Sequence, residues 1–106
     1  MKTKRTVGLI ALLVSMGAFL FAAEVKAADP RNGAKIYNIH CTNCHGSSGA
    51  GAMPGMPDFR RGQSLFAQNA VLVEVLENGV GIMPAYRGLL TTQEMLDVIA
   101  HLRTFQ

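Results

Sequence analysis

Cys41-Thr42-Asn43-Cys44-His45 places the two cysteines of the chain three residues apart with a histidine directly after the second. Two thiols at that spacing reach one edge of a flat macrocycle from a single helical turn and can add across a pair of vinyl groups. The adjacent imidazole is then directed at a metal in the centre of the ring. A Cys-x-x-Cys-His run is the attachment signature of c-type haem, with His45 as the proximal iron ligand. Other chemistries use the same residue types. A redox dithiol requires a preceding strand within a βαβ pattern, and residues 30–45 show none. Structural zinc requires four ligands; there is no second cysteine pair, and His40 and His101 are not at finger spacing. A plain disulfide is the simplest remaining alternative.

The chain opens with an export pattern. Lys2, Lys4 and Arg5 form a basic region, residues 7–23 are uncharged and apolar, and Val25-Lys26-Ala27 fits a small-x-small cleavage site. Residues 1–27 therefore read as a secretory signal and residues 28–106 as the mature domain. An apolar run of that length also approaches the roughly 20 residues of a membrane span, so the membrane is a partner only if the signal is retained as an anchor. The formal charge of +3 belongs to the signal. Arg31, Lys35, Arg60, Arg61, Arg87 and Arg103 in the mature part are balanced by Asp29, Asp58, Glu74, Glu77, Glu94 and Asp97. A neutral domain gives no footing for nucleic acid or an anionic membrane surface, and partner docking should depend weakly on salt.

The elements that must position the motif are helical. Asp29-Pro30 is a good N-cap followed by Pro at the first position, and predicts a helix from Pro30 to about Asn43 with Gly33, Tyr37 and His40 near one face. Gly33 is either a tolerated weak point or a place where another helix crosses closely. Residues 46–62 are rich in Gly, Ser and Pro without periodicity, and predict an Ω-type loop that turns through Gly46, Gly49 and Gly51. Asn69 is the expected cap of a second helix through Asn78, with Leu72, Val75 and Leu76 as its stripe and Gly79 as its stop. After an irregular stretch at residues 80–88, Thr91-x-x-Glu94 is a capping box ahead of Met95, Val98, Ile99, Leu102 and Phe105 at helical spacing. No strand pattern or repeat is present, and the expectation is a single all-α domain.

Along essentially its whole mature length the chain resembles a class I (mitochondrial-type) monohaem cytochrome c of the small bacterial periplasmic kind. Gly33 and Tyr37, Cys41 to His45 with Gly46, Met56-Pro57-Asp58-Phe59, and Met83-Pro84-Ala85-Tyr86 before the last helix carry the likeness. The resemblance implies the cytochrome c fold, with N- and C-terminal helices crossing where Gly33 and Tyr37 pack near Ile99 and Leu102. It also implies that the Pro57 carbonyl accepts from the free nitrogen of His45.

The sixth iron position calls for a soft, uncharged ligand if the potential is to be high, and the mature chain offers Met53, Met56, Met83 and Met95. Met95 belongs to a helix core stripe. Met53 and Met56 follow His45 too closely through a Gly/Pro loop to travel round the ring comfortably. Met83 follows a complete helix that can carry the chain to the opposite face, and Pro84 holds it extended. Met83, with His45, is thus the expected iron-ligand pair. Phe59 and Tyr86 are expected to wall the pocket. Arg60 is a candidate for a haem propionate, and its pairing with Arg61 is equally that of a solvated loop. His40 lies on the helix of the motif, and His101 is expected to face solvent.

One covalent haem c with both axial positions filled implies a one-electron carrier and not an enzyme, cycling Fe(II)/Fe(III) in the periplasm between donor and acceptor proteins. Export (Sec) and c-type maturation machinery are the further partners implied. Two alternatives remain at this level: the haem-bearing subunit of a larger periplasmic oxidoreductase, and an open-site haem sensor or peroxidase. A mature domain this small has a marginal core of its own, and the macrocycle would complete it. The Cys41→Ala/Cys44→Ala variant should therefore lack a cooperative thermal transition. A transition matching that of the haem-bearing protein, followed by circular dichroism, would contradict this.

Overall fold

A computed structural model describes residues 26–106; the export-signal reading over residues 1–27 lies outside them, except for Lys26 and Ala27. Among the described residues, four α-helices account for the regular structure: α1 Pro30–His40, α2 Thr42–His45, α3 Asn69–Asn78 and α4 Thr92–Leu102. Short 3₁₀ turns occupy Phe59–Arg61 and Arg103–Phe105. The described residues contain no strand, only isolated bridges between Val80 and Met83 and between Arg87 and Leu90. The all-α expectation holds. No helix among the described residues is long and apolar enough to cross a membrane.

The frame is the crossing of α1 over α4. Asp29 caps α1 by accepting from the Arg31 amide at 2.9 Å, and Pro30 begins the helix. Thr91 and Glu94 form the predicted capping box on α4, the Thr91 amide donating to Glu94 Oε2 at 2.8 Å. Between them, a Cβ on Gly33 would overlap the Asp97 carbonyl of α4, so glycine is what allows the backbones this close. The close-crossing reading of Gly33 is correct: its nearest neighbours are Asp97 and Val98, immediately before Ile99, and Tyr37 shares a cluster with Leu102. Ile36, Tyr37, Phe59, Leu65, Val98 and Leu102 then form one apolar cluster, and Leu76, Tyr86, Met95 and Ile99 a second.

Asp97 ties the two helices at the same place. Although only 3 % exposed, its carboxylate accepts from the Asp29 amide at 2.8 Å, Asn32 Nδ2 at 2.8 Å and Gln93 Nε2 at 3.0 Å. Burial raises its pKa, but these hydrogen bonds, with a smaller contribution from Lys26, hold it below the ordinary value of 3.8.

Several boundaries differ from the sequence reading. The first helix stops at His40, because Cys41 leaves it at φ −119°, ψ −28° and the chain restarts as the one-turn α2 that carries Cys44 and His45. Asn69 is not the cap of α3: Gln68 occupies that place with no side-chain bond, and Asn69 Oδ1 instead accepts from Arg103 Nη1. The loop at residues 46–62 contains a 3₁₀ turn at Phe59–Arg61, capped by Asp58 accepting from the Arg60 amide at 3.1 Å. Phe105 lies in the terminal 3₁₀ turn instead of continuing α4. His101 does not face solvent; it is half-buried, edge-on to Tyr37 at 5.3 Å and Phe105 at 4.9 Å, and burial lowers its pKa.

Because the folded pKa of Asp97 lies below its unfolded value, its contribution is fully present above the unfolded pKa and is lost as the pH falls through the folded one. Asp97→Asn retains a single acceptor for three donors and should cost about 1–3 kcal/mol at pH 7. Chemical denaturation across pH 2–6 should show a shallower acid limb in the variant than in the parent.

Candidate haem site

A cavity of about 560 Å³ lies between the two apolar clusters, a volume within the range of cofactor sites. Cys41, Cys44 and His45 border it from the end of α1 and from α2, Met56, Pro57 and Phe59 from the first loop, and Leu72, Val75 and Leu76 from α3. Val80, Ile82, Met83 and Tyr86 come from the second loop, and Val98, Ile99 and Leu102 from α4. No Asp, Glu, Lys or Arg is among the lining residues. Such a space takes a large, flat, mostly apolar group.

The motif is shaped by local hydrogen bonds. The Cys41 amide donates to the Tyr37 carbonyl at 2.9 Å and the His45 amide to the Cys41 carbonyl at 2.9 Å, which keeps both thiols and the imidazole on one compact turn. Beyond it, the Gly51 amide donates to the His45 carbonyl at 2.8 Å and the Ala52 amide to the Cys44 carbonyl at 2.9 Å, folding the loop back beside the motif. Gly46, Gly49 and Gly51 all take positive φ there, as the tight-turn reading expects. Tyr37 Oη donates to the Gly46 carbonyl at 2.6 Å, and burial pushes this phenol up to about 12.

Cys41 and Cys44 are free. Burial, with the Cys44 charge second, pushes the Cys41 thiol up to about 11, so it is protonated at neutral pH. A redox dithiol needs a nucleophilic thiolate with a depressed pKa, the opposite shift. The His45 ring stacks on Phe59 at 4.9 Å and 28°, and burial lowers its pKa, which favours the neutral imidazole that binds a metal. Its Nδ1 is buried without a hydrogen-bond partner, so the bond to the Pro57 carbonyl implied by the resemblance is not formed, although Pro57 lines the cavity. Two thiols, a neutral imidazole with an unspent buried nitrogen and a thioether around one apolar space fit a covalently held haem.

Phe59 and Tyr86 both line the cavity. Phe59 is buried, and so is Tyr86, whose hydroxyl donates to the His40 carbonyl at 3.1 Å and ties the second loop to the end of α1. Met83 lines the cavity and packs against the Leu76, Tyr86, Met95 and Ile99 cluster. Met95 is a core residue as expected, and Met53 is exposed. Met56 also lines the cavity, so geometry brings two thioethers to the space where the loop argument favoured one. Arg60 lies off the cavity lining. Its guanidinium grips Asp58 in a fork, Nε to Oδ1 at 3.0 Å and Nη2 to Oδ2 at 2.9 Å. The Asp58 cap on the same turn brings the two side chains together.

Sequence reasoning passed over two ties. The Tyr37 and Tyr86 hydroxyls each hold a backbone carbonyl at the rim, and a phenol on a buried helix face or beside Pro84-Ala85 carries that potential without naming its acceptor. Asp97 was counted only as a charge. The available signal was a carboxylate adjoining the apolar stripe of α4, four residues after Gln93.

The family described as "Cytochrome C oxidase, cbb3-type, subunit III" matches residues 28–102. The chain is 31% identical over 104 residues to the cytochrome c6 of Synechococcus sp. (strain ATCC 27167 / PCC 6312), covering 95% of this chain and 90% of that one. It is 28% identical over 102 residues to the cytochrome c6 of Nostoc sp. (strain PCC 7120 / SAG 25.82 / UTEX 2576), covering 92% and 90%. With the cytochrome c6 of Leptolyngbya boryana it shares 33% over 75 residues, 67% of this chain and 86% of the relative.

The two thioethers at the cavity separate by substitution. Met83→Ala should abolish the weak far-red sulfur-to-iron charge-transfer band of the oxidised haem-bearing protein, while Met56→Ala should retain it. The reverse pattern in optical spectra would move the sixth ligand to the first loop.

Proposed function

This chain belongs to the small monohaem class I c-type cytochromes, and from that premise we propose that it is a one-electron carrier in which His45 and Met83 are the axial ligands. The observation that supports this most is the convergence of both motif thiols, the His45 imidazole and the Met83 thioether on one cavity without a charged side chain. Haem c, held through Cys41 and Cys44, supplies a one-electron Fe(II)/Fe(III) couple. The residues around it do the remaining work. The neutral His45 imidazole, held against Phe59, offers a nitrogen on the motif side. Met83 offers a soft, uncharged sulfur that favours the ferrous state and raises the potential. Leu72, Val75, Leu76, Tyr86, Ile99 and Leu102 give the space largely apolar walls. A low-dielectric surround free of carboxylates reinforces the preference for the less charged ferrous state.

A filled sixth position separates a carrier from an enzyme, since substrate then has no open metal site. We place the domain at residues 28–106, exported to the periplasm behind the signal at residues 1–27, where donor and acceptor proteins exchange electrons with it. The match to a family described as an oxidase subunit supports a second reading, in which the chain is the haem-bearing subunit of a larger oxidoreductase. Co-purification of the native protein distinguishes the two.

The test of the carrier reading is an optical spectrum, oxidised and reduced, of protein matured in the periplasm. We expect a low-spin spectrum in both states and no response of the reduced form to carbon monoxide. A high-spin spectrum with ready carbon monoxide binding would mean an open site and would favour the sensor or peroxidase class.

A further inference from the structure

Residues 79–87, the segment that presents Met83, return to where they leave α3. At the start of the loop the Gly79 amide donates to the Val75 carbonyl at 2.8 Å. At its end the Tyr86 amide donates to the Leu76 carbonyl at 2.8 Å and the Arg87 amide to the Glu77 carbonyl at 3.3 Å. Three successive carbonyls that the end of a helix leaves unpaired are thus taken by the two ends of one loop. Arg87 Nη2 closes the base from outside, donating to Glu77 Oε2 and Asn78 Oδ1, both at 3.0 Å. Within the loop, the Met83 amide donates to the Val80 carbonyl at 2.9 Å and its carbonyl accepts from the Val80 amide at 3.2 Å.

Gly79 is the point against which this turn rests. A Cβ there would lie 2.5 Å from the Met83 carbonyl oxygen and 2.9 Å from the Ala85 nitrogen, and the backbone at φ 71°, ψ 170° is a region essentially reserved for glycine. Any side chain at position 79 must push the Met83 backbone away or distort the end of α3.

We propose that Gly79 and Arg87 are positioning residues for Met83, closing the base of the loop on the last turn of α3 and so setting how readily an external ligand takes the sixth coordination position. The proposal rests on the reading of Met83 as the distal ligand. Neither residue lines the cavity, and their effect runs through the backbone of residues 80–86.

Titration of the oxidised holoprotein with imidazole tests it. Arg87→Gln should raise imidazole affinity about fivefold, the scale of one exposed ion pair. Gly79→Ala should raise it on the order of tenfold or more and weaken the far-red band, as expected for strain relieved at Met83. Arg87→Lys keeps the charge beside Glu77 and should return affinity to within about twofold of the parent, a rescue that general destabilisation would not give. If Gly79→Ala does not accumulate as holoprotein, Arg87→Gln and Arg87→Lys decide. Imidazole affinities within about twofold of the parent in the variants obtained, with Met83→Ala lacking the band and binding imidazole readily, would overturn the clamp alone. An unchanged band in Met83→Ala would remove the ligand assignment, and the proposal with it.

Discussion

The contact on which the rest depends is the crossing of α1 and α4 at Gly33, where the Asp97 carbonyl occupies the place a side chain would need. Backbones at that separation let Asp97 reach the amide at the start of α1 and satisfy three donors from a nearly dry position. The cost of burying a carboxylate is offset only while all three bonds stand, so the crossing is specific in angle and register. The motif begins at the end of α1, and α4 supplies one wall of the cavity. Fixing one helix on the other therefore sets where the thiols and His45 stand relative to Val98, Ile99 and Leu102.

From that frame the chain needs two excursions to complete the site. The first loop folds back on the motif through hydrogen bonds to the Cys44 and His45 carbonyls and places Phe59 under the imidazole. Helix α3 then carries the chain along the cavity, and the second loop returns with Met83 and Tyr86. Each excursion is tied to the frame by a phenol: Tyr37 holds the Gly46 carbonyl and Tyr86 the His40 carbonyl. Aromatic side chains suit this duty because one end fills apolar space while the other donates to a backbone carbonyl at the rim.

The charges lie elsewhere. Arg60 is neutralised by Asp58, Arg87 by Glu77, and Asp97 is enclosed by hydrogen bonds, while the cavity lining carries no ionised group. A metal in such a surround has its electronics governed by its ligands and by exclusion of water. Exposed Val80 and Ile82 lie at the edge of the same space, so the surface beside the site is apolar.

Local chemistry made much of this legible. Cys41-x-x-Cys44-His45 declares its cofactor because both cysteines and the histidine are near neighbours along the chain, where spacing alone decides what they can reach. The caps at Asp29 and Thr91 and the stop at Gly79 are likewise short-range, and all three hold in the structure. Long-range partners were not legible in this way. Whether His101 met water or two rings, whether Asn69 capped its own helix or received Arg103, and whether Met56 stood near the cavity all depended on surfaces distant in sequence. Sequence by itself determined the helices, the attachment chemistry and the small set of thioethers available to the iron. Tertiary structure alone decided which polar groups were already taken, because hydrogen-bond capacity is finite and its assignment follows from what the fold brings within about 3 Å.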